Sequence, residues 1–316
     1  MQSFLAYVTH SDSPIVSVVD ADTNVVVSEI QMDGVGRGVT ATPNGQRVGI
    51  ANFPNVVTIL DTATNMVERV VRAESPVAIA SSLDSQRFYV ARFDAASNSI
   101  RAVVSVIDAR TGEEVAAIPA GEIEGNREPA LGITVPSMGI ATSPDGKHAF
   151  VVAGNADGGT LAVIDIASNT SVSTIKTGRL DQRAVAVGLA ISPDGTRAFV
   201  PSGQALAVLD TAAAAVVDFI NVGEVSGVAI APDGRHLYAT HAGAINVIDL
   251  VASSNPVRIS LPSAGGGIAC TPDGRLVYVA SRKGSVLAIE AATNGVIANI
   301  PVSGPAEAIA IAAIRK

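Results

Sequence analysis

The chain repeats one short pattern seven times, and this repeat constrains the fold more than any other feature. Each copy is a β-branched run, an acid, two or three small polar residues and a second strand-like run, as in TILDTATNMVE and SVIDARTGEEV. The acids of the seven copies are Asp20, Asp61, Asp108, Asp165, Asp210, Asp249 and Glu290. Most of them are 39 to 47 residues apart, which is the spacing of a repeat built from several short strands.

A second motif, Pro-Asp-Gly or a variant of it, precedes each of the last six copies. It reads TPNG at 42, SLDS at 82, SPDG at 143, SPDG at 192, APDG at 231 and TPDG at 271. Proline presets φ at the second position of a turn and Asp-Gly tolerates positive φ, so the motif predicts a tight turn between strands. Four short antiparallel strands per copy, repeated seven times, predict an all-β protein: a seven-bladed β-propeller.

The first copy lacks its own first strand, and the end of the sequence supplies one. The segment AEAIAIAAIRK aligns with VSGVAIAPDGR of a later copy, which predicts that residues 305–314 form the innermost strand of blade one. This closure makes 1–316 a single domain and removes the exposed sheet edges of an open array. The predicted inner strands begin with small residues, as seven strands around one axis require: Gly38, Ala78, Gly139, Gly188, Gly227, Gly267 and Ala308.

The tetrapeptide YVTH at 7–10 returns as YATH at 238–241. Together with the PDG turns and the V-I-D-x-x-T-N turns, it resembles the YVTN-type β-propeller repeat family, with His10 and His241 where asparagine is usual. The resemblance covers essentially the whole chain and implies the propeller fold. That family is related in architecture to bacterial lactonase-type propellers, but the resemblance carries no catalytic motif over to this chain.

The blade strands are lettered A to D from the axis outward, so the B–C loops and the D–A loops between blades share one face. We expect a ligand there, at the end of the axial channel, which we call the channel mouth. The candidate substrate-binding residues on these loops are Arg37, Arg92, Arg127, Arg183, Arg282, Asn52 and Phe53. Arginine suits this role because it can hold a carboxylate or phosphate through two hydrogen bonds.

The candidate catalytic residues are His10, His241 and Glu307. Glu307 could act as a base if desolvation raises its pKa, and its alternative role is an ion pair with Arg37. The two histidines end strand B in blades six and one, where they could transfer protons or bind a divalent metal; their alternative role is ordinary loop hydrogen bonding. The long insert 121–137 in the D–A loop after blade three predicts a flap over the channel mouth.

Three functions remain open on these residues. The first is an enzyme acting on a small anionic metabolite, by lactonase-like hydrolysis or acid–base lyase chemistry. The second is a non-catalytic propeller that binds a ligand or a protein partner. The third is a metal-associated propeller that uses the paired histidines. The scarcity of aromatic residues, 3% of the chain, counts against a protein-docking face.

Composition narrows the partners and the compartment. A formal charge of −8 without a basic run argues against nucleic acid, and the absence of a long apolar run argues against membrane insertion. No signal peptide is visible, so we expect a cytoplasmic protein if Met1 is the native start, and a periplasmic or secreted one if a leader was removed. We expect a monomer.

Overall fold

The protein is a seven-bladed β-propeller, as the repeat predicts. The computed structural model describes residues 2–95, 100–123, 137–155, 158–177, 188–241, 243–252 and 255–315. In these ranges, strands numbered β1 to β28 in chain order form seven separate sheets of four strands. All neighbouring strands within a sheet run antiparallel. The described residues include no helix that is long and apolar enough to cross a membrane.

The strands of the first three blades succeed one another from the axis outward. Blade one contains β28 (Ala306–Arg315), β1 (Gln2–His10), β2 (Ile15–Asp20) and β3 (Val25–Gln31). Blade two contains β4 (Val35–Ala41), β5 (Arg47–Phe53), β6 (Val56–Asp61) and β7 (Met66–Arg72). Blade three contains β8 (Pro76–Ser81), β9 (Arg87–Ala95), β10 (Ile100–Asp108) and β11 (Glu114–Ile123).

The last four blades follow the same order. Blade four contains β12 (Ser137–Thr142), β13 (His148–Gly154), β14 (Gly159–Asp165) and β15 (Thr170–Lys176). Blade five contains β16 (Ala190–Ile191), β17 (Arg197–Ser202), β18 (Ala205–Asp210) and β19 (Ala215–Asn221). Blade six contains β20 (Gly227–Ile230), β21 (His236–His241), β22 (Ala244–Asp249) and β23 (Val257–Ser260). Blade seven contains β24 (Gly265–Cys270), β25 (Leu276–Ser281), β26 (Ser285–Glu290) and β27 (Gly295–Pro301).

The ring closes where the sequence predicts. Strand β28 pairs with β1 from Gln2 opposite Arg315 to His10 opposite Ala306. The closing strand therefore occupies 306–315, one residue later than the predicted 305–314. Ala306 and Ala312 on this strand are completely buried, so blade one packs around it as the other blades pack around their own inner strands.

The strands differ in burial according to their distance from the axis. In blade two, the middle residues of β6 are fully buried, whereas most of the outermost strand β7 is exposed. Strands B and C lie between two neighbouring blades and must be apolar on both faces, which explains their continuous apolar runs. The core is therefore a set of inter-blade layers, such as the one in which Tyr7 and Val18 of blade one meet Ile50 and Leu60 of blade two.

Close packing at the axis explains the small residues of the inner strands. A Cβ atom on Gly188 would lie 2.4 Å from the backbone nitrogen of Val228 in the next blade. A Cβ on Gly267 would lie 2.9 Å from the Cα of Ala308. Neither contact is tolerable between real atoms, so the inner strands can approach only with glycine there.

The turns on the face away from the channel mouth follow the predicted chemistry. In the A–B turn of blade four, Gly146 has a φ of 71°, and Ser143 Oγ donates to Asp145 Oδ1 at 2.6 Å. In the C–D turn of blade one, Asp20 Oδ1 accepts backbone N–H groups of Asp22 and Thr23, both at 2.9 Å. The repeated acids thus serve the turns, as their position in the repeat indicates.

Two tyrosines on the B strands, Tyr7 and Tyr278, bind the C–D turn of the following blade. Tyr7 of blade one donates its hydroxyl to Asn65 Oδ1 of blade two at 2.6 Å. Tyr278 of blade seven does the same to Asn24 Oδ1 of blade one at 2.8 Å. Both asparagines have positive φ. These hydrogen bonds tie neighbouring blades together across the apolar layer.

The threonines of YVTH and YATH support the inner strands instead. Thr9 Oγ1 accepts the N–H of Ala308 at 3.2 Å, and Thr240 Oγ1 accepts the N–H of Gly227 at 2.8 Å. The repeated tetrapeptide therefore has a structural reason, because its threonine meets the backbone of the innermost strand in both blades.

Candidate functional site

Two of the predicted site residues, Arg37 and Glu307, lie on β-bulges of neighbouring inner strands. In β4 the pairing moves from Gly36 opposite Asn52 to Gly38 opposite Ala51, which leaves Arg37 as an extra residue. The pairing of β28 with β1 shifts around Glu307 in the same way. A bulge turns a side chain out of the regular pleat, and bulges are common beside active sites. The two bulges place one cation and one acid at the channel mouth.

Glu307 is a buried carboxyl group with a cation beside it. Only 7% of the residue is exposed, and its Oε1 lies 3.6 Å from a terminal guanidinium nitrogen of Arg282. Burial raises the pKa of Glu307 above its ordinary value, although the positive charges of Arg282 and Arg37 act in the opposite direction. The glutamate can therefore hold or release a proton at a higher pH than an exposed one.

The ion pair differs from the one that the sequence suggests. Among the described residues, the cation within 4.0 Å of the Glu307 carboxylate is Arg282 of blade seven, not Arg37 of blade two. Arg282 lies on a B–C loop, whose course relative to the inner strand of blade one depends on the packing of two blades. Repeat alignment alone gives no information on that distance.

Arg37 has a donor that no group in the described part of the chain uses. Its guanidinium carbon lies 5.7 Å from the centre of the Phe53 ring, a distance typical of a cation–π contact. Its Nε is buried and has no hydrogen-bond partner among the described residues. A buried unsatisfied donor is uncommon in a folded protein and needs an explanation. A ligand whose oxygen accepts this hydrogen bond would explain the unsatisfied donor.

Asn52 and Phe53 help to form the wall beside Arg37. The Asn52 side-chain nitrogen donates to Thr58 Oγ1 at 3.3 Å and approaches the Gly34 carbonyl oxygen at 3.5 Å. Asn52 thereby holds the D–A loop that leads into blade two. Phe53 presents its ring to Arg37. Phe53 therefore contacts the cation directly, whereas Asn52 positions the loop that precedes it.

His10 is completely buried, and both of its ring nitrogens have hydrogen-bond partners. Nδ1 lies 3.0 Å from the Gly304 carbonyl oxygen, and Nε2 lies 2.9 Å from Ser17 Oγ. A carbonyl oxygen can only accept, so Nδ1 carries the proton and Nε2 accepts from the serine hydroxyl. This geometry favours the loop hydrogen-bonding role over the catalytic one.

The described residues do not fit the metal hypothesis for His10 and His241. Neither nitrogen of His10 has a free lone pair directed at an open site, and His241 ends β21 in blade six, half-buried. Within the described ranges, no group of three or more His, Cys, Asp or Glu residues is placed to hold a metal ion. The proton-transfer role of His241 stays a prediction.

Arg92 does not join the cluster at Arg37 and Glu307. Arg92 Nε donates to Ser105 Oγ at 2.8 Å, and that hydroxyl donates to Glu114 Oε1 at 2.8 Å, so Arg92 belongs to a chain of contacts running outward along blade three. Arg127 and Arg183 lie outside the described residues. The predicted flap 121–137 does too, except at its ends, where 121–123 belong to β11 and Ser137 begins β12.

A cavity of about 190 Å³ occupies the axis next to Glu307. Its wall includes Ser226, the small residue of every inner strand except that of blade four and, from each of the seven strands, the aliphatic residue that follows the small one. These aliphatic residues carry no chemical group that would mark them in the sequence as candidates for a site. The repeat alignment contains the signal, because all seven stand at one position of the repeat, directly after the small residue.

Comparison with known proteins supports the fold and gives no family. No family model matches the chain, and no curated protein matches it. Among solved structures, hydrazine synthase from Kuenenia stuttgartiensis is similar, with 20% identity over 94% of this chain and 92% of that chain and a TM-score of 0.68. A functionally unknown protein from Desulfotomaculum acetoxidans DSM 771 is similar with 13% identity over 98% and 99% of the two chains and a TM-score of 0.75. At these identities, the likeness shows a shared propeller architecture.

Proposed function

We propose that the channel mouth binds a small anionic metabolite between Arg37 and Arg282, with Glu307 as the group that transfers a proton. The observation that carries this proposal is the buried Nε of Arg37, which has no acceptor among the described residues. A carboxylate or phosphate oxygen would supply that acceptor, and a charge-assisted hydrogen bond of this kind is strong.

The charges of the cluster favour an anion. Two guanidinium groups flank one carboxyl group, and burial favours the neutral form of that carboxyl group. The local charge is therefore positive although the chain as a whole carries −8. An anionic ligand would neutralise this excess, whereas a cation would be repelled by it.

The chemistry we propose for Glu307 is acid–base. In hydrolysis of a lactone, its carboxylate would take a proton from the attacking water; in a lyase reaction, it would take one from carbon. A raised pKa suits either step because the base then works nearer to neutral pH.

A non-catalytic ligand-binding propeller is the second candidate. The observation that favours it is the engagement of both His10 nitrogens in protein hydrogen bonds, which leaves one acid–base group in the described part of the cluster. Binding through Arg37 and Arg282 would then be the whole function of the site.

Isothermal titration with small carboxylates, inorganic phosphate and lactones tests the proposed binding. For an anion that binds, Arg37→Ala should weaken affinity about tenfold or more, because a hydrogen bond to a charged group contributes roughly 1.5–3 kcal/mol. Arg258→Ala removes an exposed arginine on β23 and is the matched control, which should leave affinity unchanged. Equal affinity in wild type and Arg37→Ala would contradict the proposal.

Glu307→Gln separates the two candidates. In an enzyme, this variant should still bind the anion and should lose turnover of the lactone or the acid. Binding by the wild type without turnover of any bound compound would instead favour the ligand-binding propeller.

A further inference from the structure

The axial cavity beside Glu307 has a second polar side chain in its wall. Ser226 of blade six lines the same cavity as Glu307 of blade one. The cavity measures about 190 Å³, which is roughly six water volumes of ~30 Å³ each. One small ligand can therefore meet both residues.

Ser226 stands at the same place of its blade as Arg37 and Glu307. Each of the three directly precedes the small axial residue of its inner strand. In blades three and four the residues at this place, Val77 and Met138, are completely buried in the apolar core. Among the described residues, the polar side chains at this place therefore belong to blades six, one and two, on one side of the channel mouth.

Blade seven, which lies between blades six and one, has Gly266 at this place. A Cβ on Gly227 would lie 2.6 Å from the Gly266 carbonyl oxygen, and a Cβ on Gly266 would lie 2.5 Å from the Glu307 carbonyl oxygen. The three inner strands are thus in direct backbone contact. No side chain of blade seven at this place separates Ser226 from Glu307.

The backbone of Ser226 is fixed, and its hydroxyl group is available. The Ser226 N–H donates to the Thr240 carbonyl oxygen at 2.9 Å, and the Ser226 carbonyl oxygen accepts the N–H of Gly188 at 3.1 Å. The residue is half-buried, and its hydroxyl group forms no hydrogen bond with another described residue. A serine hydroxyl can donate one hydrogen bond and accept others, so Ser226 offers a ligand both roles.

We propose that the ligand of the channel mouth is a small hydroxycarboxylate, whose carboxylate binds Arg37 and Arg282 and whose hydroxyl group enters the axial cavity and hydrogen-bonds to Ser226. This inference rests on the anion site proposed above and adds the class of ligand. An alkyl group in the same place would leave the Ser226 hydroxyl without a partner, which is costly away from water. A ligand hydroxyl can supply that partner.

Calorimetry on the wild-type protein tests the inference with pairs of acids that differ by one hydroxyl group. The pairs are acetate and glycolate, propionate and lactate, and butyrate and 3-hydroxybutyrate. In at least one pair, the hydroxylated acid should bind about two- to tenfold more tightly, the gain expected from one neutral hydrogen bond. Equal dissociation constants within every pair would overturn the inference. This series needs no variant, so misfolding cannot obscure it.

Ser226→Ala locates the hydroxyl group of the ligand. The variant should bind the hydroxylated acid only as tightly as its unsubstituted partner, and its affinity for the unsubstituted acid should equal that of the wild type. Ser171→Ala, on the exposed outer strand β15, is the matched control and should keep the preference. A preference of unchanged size in Ser226→Ala would overturn the assignment to Ser226.

The same titrations distinguish the two proposals. Binding of the unsubstituted acids that Arg37→Ala weakens, without any preference for the hydroxylated ones, would support the anion site and overturn the hydroxycarboxylate inference. A preference that Ser226→Ala abolishes, with affinities that Arg37→Ala leaves unchanged, would support the contact with Ser226 and contradict the anion site.

Discussion

At the scale of single residues, His10 shows how the fold fixes a protonation state. Its Nδ1–H donates to the Gly304 carbonyl oxygen, and the Ser17 hydroxyl donates to its Nε2. Burial lowers the pKa of His10, and the nearby carboxylates of Asp12 and Glu29 only partly oppose this. A protonated ring would lose the bond from Ser17 unless the serine hydroxyl turned. The neutral imidazole is therefore the form that holds the D–A loop.

This arrangement predicts a loss of stability in acid. Below about pH 6.5 the unfolded chain binds a proton at His10, whereas the folded protein binds it only at a lower pH, so stability falls as pH decreases through that window. His10→Asn should remove this dependence and keep the anchor, because Asn52 occupies the same position in blade two. Urea unfolding of the wild type and of His10→Asn between pH 5 and pH 8 gives the free energy of unfolding of each protein. The difference between the two free energies isolates His10, because the titration of all other groups is common to both proteins. Parallel stability curves would contradict the prediction.

At the scale of structural elements, the tyrosines and the turn asparagines occur together. The four blades with a tyrosine in strand B are each followed by a blade with asparagine at the same point of its C–D turn, in the pairs Tyr7 and Asn65, Tyr89 and Asn169, Tyr238 and Asn294, and Tyr278 and Asn24. Where blade four has Phe150 instead, the turn of blade five has Ala214. Two of the four pairs, Tyr7 with Asn65 and Tyr278 with Asn24, form a hydrogen bond between the two blades.

A tyrosine with this hydrogen bond and one without it should differ in the cost of losing the hydroxyl group. Tyr7→Phe removes a 2.6 Å hydrogen bond and leaves the Asn65 oxygen without its donor, which should cost about 1–3 kcal/mol of unfolding free energy. Tyr89→Phe is the matched control. The Tyr89 hydroxyl makes no hydrogen bond of normal geometry to any described residue, although Arg87 lies nearby, so its removal should cost much less. Chemical denaturation of the two variants gives both values, and equal losses would contradict this reading of the pairs.

The elements also show what a sequence can predict in a repeat protein. The strands, the turns and the small axial residues follow from a pattern that repeats seven times, because each obeys local sterics. The bulges at Arg37 and Glu307 do not follow, since a bulge depends on the register with the neighbouring strand. The pairing of Glu307 with Arg282 joins two blades and is equally invisible in one repeat. His10 donates a hydrogen bond to the Gly304 carbonyl oxygen and accepts one from the Ser17 hydroxyl. The residues next to His10 in the sequence predict neither partner.

At the scale of the whole molecule, closure of the ring determines whether the fold is complete. Strand β28 supplies the inner edge of blade one and packs against the inner strands on both sides, where Gly267 approaches Ala308. Without it, β1 would present a free edge, and the layers on both sides of blade one would be open to water.

Deletion of 306–315 should therefore abolish cooperative unfolding. When unfolding in guanidinium is measured by circular dichroism, the signal of the deletion variant should change over a broad range of denaturant without a defined midpoint. Glu307→Ala, which removes the site carboxylate and keeps the strand, is the control and should unfold in a single sharp transition. A sharp transition of the deletion variant, merely shifted to lower denaturant, would show that the ring holds without its closing strand.

The closing strand also sets the moment at which the proposed site is completed. A ribosome makes blade two, with Arg37, early in synthesis and makes Glu307 only after Arg282 and the rest of the seven blades. Until then blade one has no inner strand, and the proposed site has its cations without the carboxylate between them. Completion of the ring and completion of the proposed site are therefore one event.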